Sequence, residues 1–239
     1  MENNEISIRF LGAAGTVTGS KHLLQTPEMQ IMIDCGLFQG LKELRLKNWE
    51  ELPVDVPNIS YIIITHAHLD HVGYLPAIIK QGYRGRILMT APTRDLAELI
   101  LRDSAKIQEE DAEFANQQGF SKHSPAKPLY TLEDVEKTIH FFEAKNDEEW
   151  IELSTNTRFR YRKNSHILGS CFIEFECYGK KIVFSGDLGN ARSVLLNPPL
   201  VPDAADYLVM ESTYGDRLHD DEPPSVGLAR VINEIFWGK

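Results

Sequence analysis

Cysteine is scarce in this chain: Cys35, Cys171 and Cys177 are the three in 239 residues. They form no CxxC pair and are odd in number, which excludes a disulfide framework and fits buried thiols in a reducing cytoplasm. Long hydrophobic runs are missing too. Pure apolar stretches are as short as Tyr61-Ile62-Ile63-Ile64, against the ~20 residues a membrane span needs. The opening Met1-Glu2-Asn3-Asn4-Glu5 lacks the basic segment and apolar run of a secretory signal. A basic excess is also absent. Lys and Arg number 25 against 35 Asp and Glu, a formal charge of −10, which argues against a generic nucleic-acid coat protein. It leaves room for a local basic groove or for acids gathered around metal ions. There are no internal repeats and no low-complexity linker. What remains is globular: 42% hydrophobic and 25% charged residues exclude collagen, a coiled coil and a mostly disordered chain. The length allows one large domain or two small ones.

Strand patterns occupy both ends. Ile6 to Leu11 alternates, and the small-residue loop Gly12 to Ser20 follows. His22 to Thr26 and Gln30 to Asp34 read as a hairpin. Ile59 to Thr65 is continuously apolar, as in a strand covered on both faces. Gly73 to Gln81 reads as a helix with Pro76 in its first turn, and Arg86 to Thr90 as a strand. Thr93 is expected to cap a long helix with Leu96, Leu99, Ile100, Ile107 and Phe114 on its buried face and Gly119 as its stop. Phe120 to Leu129 reads as an exposed loop. Thr131 to Asp134 opens a second helix with a capping-box pattern. Four strands follow at Trp150 to Leu153, Thr157 to Lys163, Cys171 to Cys177 and Lys181 to Ser185, with Gly179 at a turn between the last two. Tyr207 to Met210 adds a strand, and Val226 to Phe236 has helical apolar spacing. This order predicts an α/β layered sandwich, not a regular βαβ alternation.

The chemistry lies in Thr65-His66-Ala67-His68-Leu69-Asp70-His71, directly after the apolar strand. In extended backbone His66 and His68 point the same way and can share one metal. The following turn lets Asp70 and His71 face a second ion. Imidazole with carboxylate suits zinc, and also manganese or iron when oxygen ligands are added. His166, in a small-residue loop between strands, and Asp187, in Ser185-Gly186-Asp187-Leu188-Gly189, are further candidate ligands. Asp34 ends a strand and can accept an imidazole N–H, fixing that ring.

The order Asp34, HxHxDH, His166, Asp187 resembles the metallo-β-lactamase fold superfamily. The glycine loop Gly12 to Ser20, the segment Lys127 to Thr131 and above all Met210-Glu211-Ser212-Thr213-Tyr214-Gly215 resemble its β-CASP RNA-processing branch, which includes the cleavage-and-polyadenylation endonuclease. The resemblance covers essentially the whole chain. It implies a four-layer αββα sandwich with only the start of a β-CASP insertion. Residues 1–208 would form the metallo-β-lactamase-like domain and 209–239 the beginning of the β-CASP domain. It implies two Zn2+ ions: His66, His68 and His166 on one, Asp70 and His71 on the other, Asp187 bridging. Asp34 and Asp70 would support catalysis, and Glu211 would orient the active-site histidines. The implied activity is hydrolysis of RNA phosphodiester bonds by a metal-held hydroxide, by a ribonuclease acting as an endonuclease in the cytoplasm. RNA is the implied partner, a membrane is not, and a homodimer stays open.

The family carries further histidine motifs after the matching segment, one of which completes the second zinc site. Residues 1–239 therefore read as the N-terminal portion of a longer enzyme or a truncated gene, weak or inactive alone. Two other readings compete. One is a hydrolase of a small ester or thioester on the same fold, against which the Glu211 to Gly215 segment speaks. The other is a non-catalytic interaction subunit, against which the intact ligand positions speak. The segment Gly15 to Lys21 does not fit a phosphate-binding loop, because its glycine spacing is one short. Arg158, Arg160, Arg162 and Lys163 alternate along one strand and could touch phosphates or line a solvent-facing edge. Lys122 and His123 could reach a substrate from their loop, and His219 matches no motif.

Overall fold

The computed structural model describes residues 5–119, 125–191, 193, 195–217, 222 and 224–237. The expectations at Lys122, His123 and His219 fall outside them. Two mixed sheets stack face to face. The first runs β1 (Ser7–Phe10), β2 (His22–Gln25), β3 (Gln30–Ile33), β4 (Ile59–Ile63), β5 (Arg86–Thr90) and β6 (Phe142–Lys145) in that spatial order. Its first three strands are antiparallel and its last three join in parallel. The second sheet orders β11 (Tyr207–Val209), β10 (Lys180–Phe184), β9 (Cys171–Cys177), β8 (Thr157–Lys163) and β7 (Ile151–Glu152).

Alternation explains the stacking. Leu24, Ile31, Ile33, Ile63 and Leu88 point from the first sheet into one core with Phe159, Tyr161, Ile173, Phe175 and Phe184 of the second. The opposite face of the first sheet supplies Leu23, Met32, Ile62, Ile64 and Ile87 to a second core under the helices. Its strands carry apolar residues on both faces because both faces are covered. The helices are α1 (Lys42–Leu46), α2 (Leu69–Val72), α3 (Leu75–Lys80), α4 (Ala91–Gln118), α5 (Leu132–Ile139) and α6 (Pro224–Trp237). None among the described residues is long and apolar enough to cross a membrane.

Several elements differ from expectation. Thr90, not Thr93, caps α4: its hydroxyl accepts the Thr93 N–H, and Thr93 itself is buried in the first turn. The buried stripe of α4 is Thr93, Ala97, Leu101, Ser104 and Ala105, spaced as a helix face requires. Leu99, Ile107 and Phe114 are exposed. Small residues bring the helix close to its neighbours, which rotates the larger side chains outward. The strand β6, whose Phe142-Glu143-Ala144-Lys145 alternates over only four residues, is not among the expected strands and pairs at the edge of the first sheet. The strand β8 is not an edge. It lies between β7 and β9, and its arginines pair across the ladder, Arg158 with Glu176 and Arg160 with Glu174. Gly119 ends α4 in the left-handed region, as its position predicts. Tyr178 and Gly179, both with positive φ, form the two-residue turn between β9 and β10.

Candidate metal centre

The site forms where the loops after β3, β4, β8 and β10 meet at one end of the sandwich. The chain leaves β4 as Ile64-Thr65-His66-Ala67-His68 and turns into α2, whose first residues are Leu69, Asp70 and His71. That short helix carries Asp70 and His71, and the His71 ring centre lies 4.0 Å from that of His66. His166 arrives from the loop between β8 and β9. Its N–H donates to the Ser170 hydroxyl at 3.0 Å. The Asn164 side chain donates to the Ser185 and Asp187 carbonyls at 3.0 and 2.8 Å, tying the His166 loop to the Asp187 loop.

Four ligand atoms converge: one from each of His66, His68, His166 and Asp187, all within 4.8 Å of one another. His68 Nδ1 lies 3.0 Å from His66 Nε2 and 3.0 Å from His166 Nε2. Asp187 Oδ2 lies 3.6 Å from both Nε2 atoms. Donor atoms on a tetrahedral zinc stand about 3.3 Å apart, given bonds of about 2.0 Å. The spacing therefore fits a shared ion. Burial, with the neighbouring His71, His68 and His166, pushes the His66 pKa well below its ordinary value. Burial lowers His68 as well. Both rings are thus kept in the neutral form that ligates metal.

The other oxygen of Asp187, Oδ1, lies 3.2 Å from His71 Nε2, and Asp70 Oδ2 lies 3.8 Å from that nitrogen. One carboxylate thus faces two ligand groups. The opposite ring nitrogen of His71 lies 2.7 Å from Asp34 Oδ2. Burial opposes a charge on His71, but Asp34 and Asp187 outweigh it and raise the pKa to about 10. Burial raises the carboxyl of Asp70. Asp187 is also disfavoured as an anion by burial, yet its bond to His71 holds its pKa below the usual value. Asp34 adopts a left-handed φ of 58°, a strained conformation that only surrounding contacts sustain. Those contacts are plain: Asp34 accepts the Thr65 N–H at 2.8 Å and the Thr65 hydroxyl at 2.9 and 3.0 Å.

The sequence-predicted set therefore meets in one place: Asp34, His66, His68, Asp70, His71, His166 and Asp187. Glu211 is the exception in role. Its Oε1 accepts the Leu188 N–H at 2.6 Å, and its own N–H donates to the Ser185 hydroxyl at 3.1 Å. It supports the turn that carries Asp187, so any hold on the histidines is indirect. Sequence reasoning missed Thr65, whose hydroxyl also lies 3.0 Å from His66 Nδ1, and missed Asn164 and Ser170. Their signal was position: Thr65 precedes His66, and Asn164 and Ser170 stand within four residues of His166. Beside Asp34, His71 and Asp187 a cleft of about 360 Å³ opens between the glycine loop, the Asp187 turn and Met210 to Thr213.

Comparison with known proteins places this geometry. A ribonuclease of Thermus thermophilus is 36% identical over 208 residues, covering 87% of this chain and 44% of its own length. The cleavage and polyadenylation specificity factor 73 of Drosophila melanogaster is 31% identical, covering 92% of this chain and 30% of its own. A transcription termination factor of Methanocaldococcus jannaschii is 29% identical, covering 96% of this chain and 35% of its own. The chain thus spans less than half the length of each. By name these relatives are a ribonuclease, a cleavage and polyadenylation specificity factor and a transcription termination factor. The Metallo-beta-lactamase superfamily profile matches residues 22–230, and the chain belongs to that superfamily.

Proposed function

We propose that this chain forms the metal-binding part of a two-zinc ribonuclease that cleaves RNA phosphodiester bonds internally. The observation that carries the reading is the orientation of Asp187. One of its oxygens faces His66 and His166 at 3.6 Å, and the other faces His71 at 3.2 Å. His66, His68 and His166 would hold one ion and Asp70 and His71 the other, with one oxygen of Asp187 facing each group. Asp34 fixes the His71 ring, Thr65 fixes Asp34, and Glu211 fixes the turn that carries Asp187. Two such ions lower the pKa of water and neutralise charge that builds on a phosphoryl transition state. The names of the relatives, ribonuclease and cleavage factor, support RNA as the substrate. Residues 1–208 serve as the catalytic domain and 209–239 begin an RNA-clamping domain. Three buried, unpaired thiols, Cys35, Cys171 and Cys177, support the cytoplasm as its compartment.

The test is labelled RNA incubated with the zinc-loaded chain and with Asp187→Asn. The expected result is slow internal cleavage that chelator abolishes and that Asp187→Asn lowers by more than about a hundredfold. Turnover of a thioester panel without RNA cleavage would overturn the reading in favour of a small-molecule hydrolase.

A further inference from the structure

Among the described residues no carboxylate pairs with the side chain of Lys21. Lys21 is 1% exposed. Its Nζ donates to the Gly36 carbonyl at 2.5 Å and to the Gly19 carbonyl at 3.3 Å. It stands 4.4 Å from the centre of the Phe38 ring and 5.0 Å from that of Tyr74, within cation–π range. Burial pushes its pKa down to about 8, partly offset by Cys35, so the ammonium form still prevails at neutral pH. A buried charge is costly unless its surroundings compensate it. An apolar side chain would fill this space without that cost, but would leave both carbonyls unpaired.

Three backbone segments cross at this point. The Ser20 N–H donates to the Asp70 carbonyl at 2.9 Å, and the Gly36 N–H to the Ser20 carbonyl at 3.0 Å. The Cys35 N–H donates to the His71 carbonyl at 2.7 Å, and the Leu37 N–H to the Leu69 carbonyl at 3.1 Å. The packing is close enough that a Cβ on Gly36 would fall on the Asp70 carbonyl. The loop that bears Asp70 and His71 thus rests on two other loops. The Lys21 ammonium joins those two loops to each other through the carbonyls of Gly19 and Gly36.

We propose that Lys21 is a positioning residue whose buried ammonium locks the Gly19–Ser20 and Cys35–Gly36 turns together and so holds the Asp70–His71 turn at the metal centre. It touches no metal ligand: its ammonium bonds backbone carbonyls and faces the Phe38 and Tyr74 rings. Its effect on metal binding rests on the two-ion reading, while the lock itself does not.

The experiment is hydrogen exchange by NMR on the metal-free chain and its Lys21→Met variant, followed by zinc competition against a chromogenic chelator. The expected result is exchange roughly tenfold faster, or more, at the Ser20, Cys35, Gly36 and Leu37 amides, with sheet amides such as Ile62 and Phe175 unchanged. The second zinc should bind about tenfold more weakly and the first as before. Unchanged exchange at those four amides, or a rise shared equally by the whole core, would overturn the proposal. If Lys21→Met does not fold, Phe38→Leu removes one aromatic face and must give the same pattern at smaller size. If the parent chain binds a single zinc, the two-ion reading fails, and the exchange pattern alone then decides the lock.

Discussion

Three imidazoles and one carboxylate oxygen converge in one half of the site, with four of their atom pairs 3.0 to 3.6 Å apart and all within 4.8 Å. The other half holds one imidazole between Asp70 and Asp187, at 3.8 and 3.2 Å. The halves differ in what holds them. In the first, the ligands come from separate loops, and their shared focus is set by where β4 and β8 end. In the second, His71 is fixed from behind by Asp34, which is fixed in turn by Thr65. Substitutions in the first half should therefore act through the ligands themselves, and in the second as much through their supports.

The largest effect is expected from His68→Ala. His68 makes both of the short nitrogen contacts, so its loss should weaken the first ion by more than about a hundredfold, read by chelator competition. An unchanged first ion would show that the convergence is incidental. Next comes Asp34→Asn, which cannot accept the His71 and Thr65 donors as the carboxylate does. It should weaken the second ion by about 10–100-fold and leave the first within about twofold. Equal losses in both halves would erase the distinction between them. Thr65→Val touches Asp34 and the His66 ring together. It should weaken both ions by a few-fold and cost about 1–3 kcal/mol of stability, because it strips a donor from a buried carboxylate.

The smallest effect on the site should come from Thr131→Ala, far from both halves. Thr131 and Asp134 form a reciprocal capping box at the start of α5. Its loss should cost about 1 kcal/mol in urea unfolding with zinc affinity unchanged. Burial works against a charge on Asp134, but the Thr131 N–H and Lys80 hold its pKa below the ordinary value. A depressed carboxyl gives stability that is present above its unfolded pKa and lost as pH falls through the folded one. Stability should therefore decline below about pH 4 in the parent chain and decline less in Asp134→Asn, which removes the carboxyl held by the Thr131 N–H and Lys80. An identical acid limb in both would show that this carboxyl does not contribute to it.

The same contrast explains how far the sequence could be read. The three-histidine half was legible because ligation needs particular side chains at fixed spacing, and His66, His68, His166 and Asp187 meet as expected. Asp34 was legible because it ends a strand beside the histidine motif. Thr65 and Lys21 were not, because a hydroxyl or an ammonium has many common roles and only the fold shows which carbonyls or carboxylates face it. The face of α4 was misread for a related reason. Leu99, Ile107 and Phe114 are apolar at helical spacing, but Ala97, Leu101 and Ala105 sit on a face that packs more closely. The arginines of β8 look like phosphate contacts until Glu174 and Glu176 are seen across the ladder.

The central claim is that Asp187 joins two metal sites of different construction. Its most direct test is the zinc content of the reconstituted chain, by plasma emission spectrometry, beside that of Asp34→Asn and His68→Ala dialysed at matched free zinc. Two ions per parent chain are expected at saturating free zinc, the Asp70–His71 ion being the weaker because its ligand set is incomplete, with one ion in Asp34→Asn and loss of the first-half ion in His68→Ala. One ion in the parent chain under those conditions, or two in Asp34→Asn at every free zinc concentration, would contradict the claim.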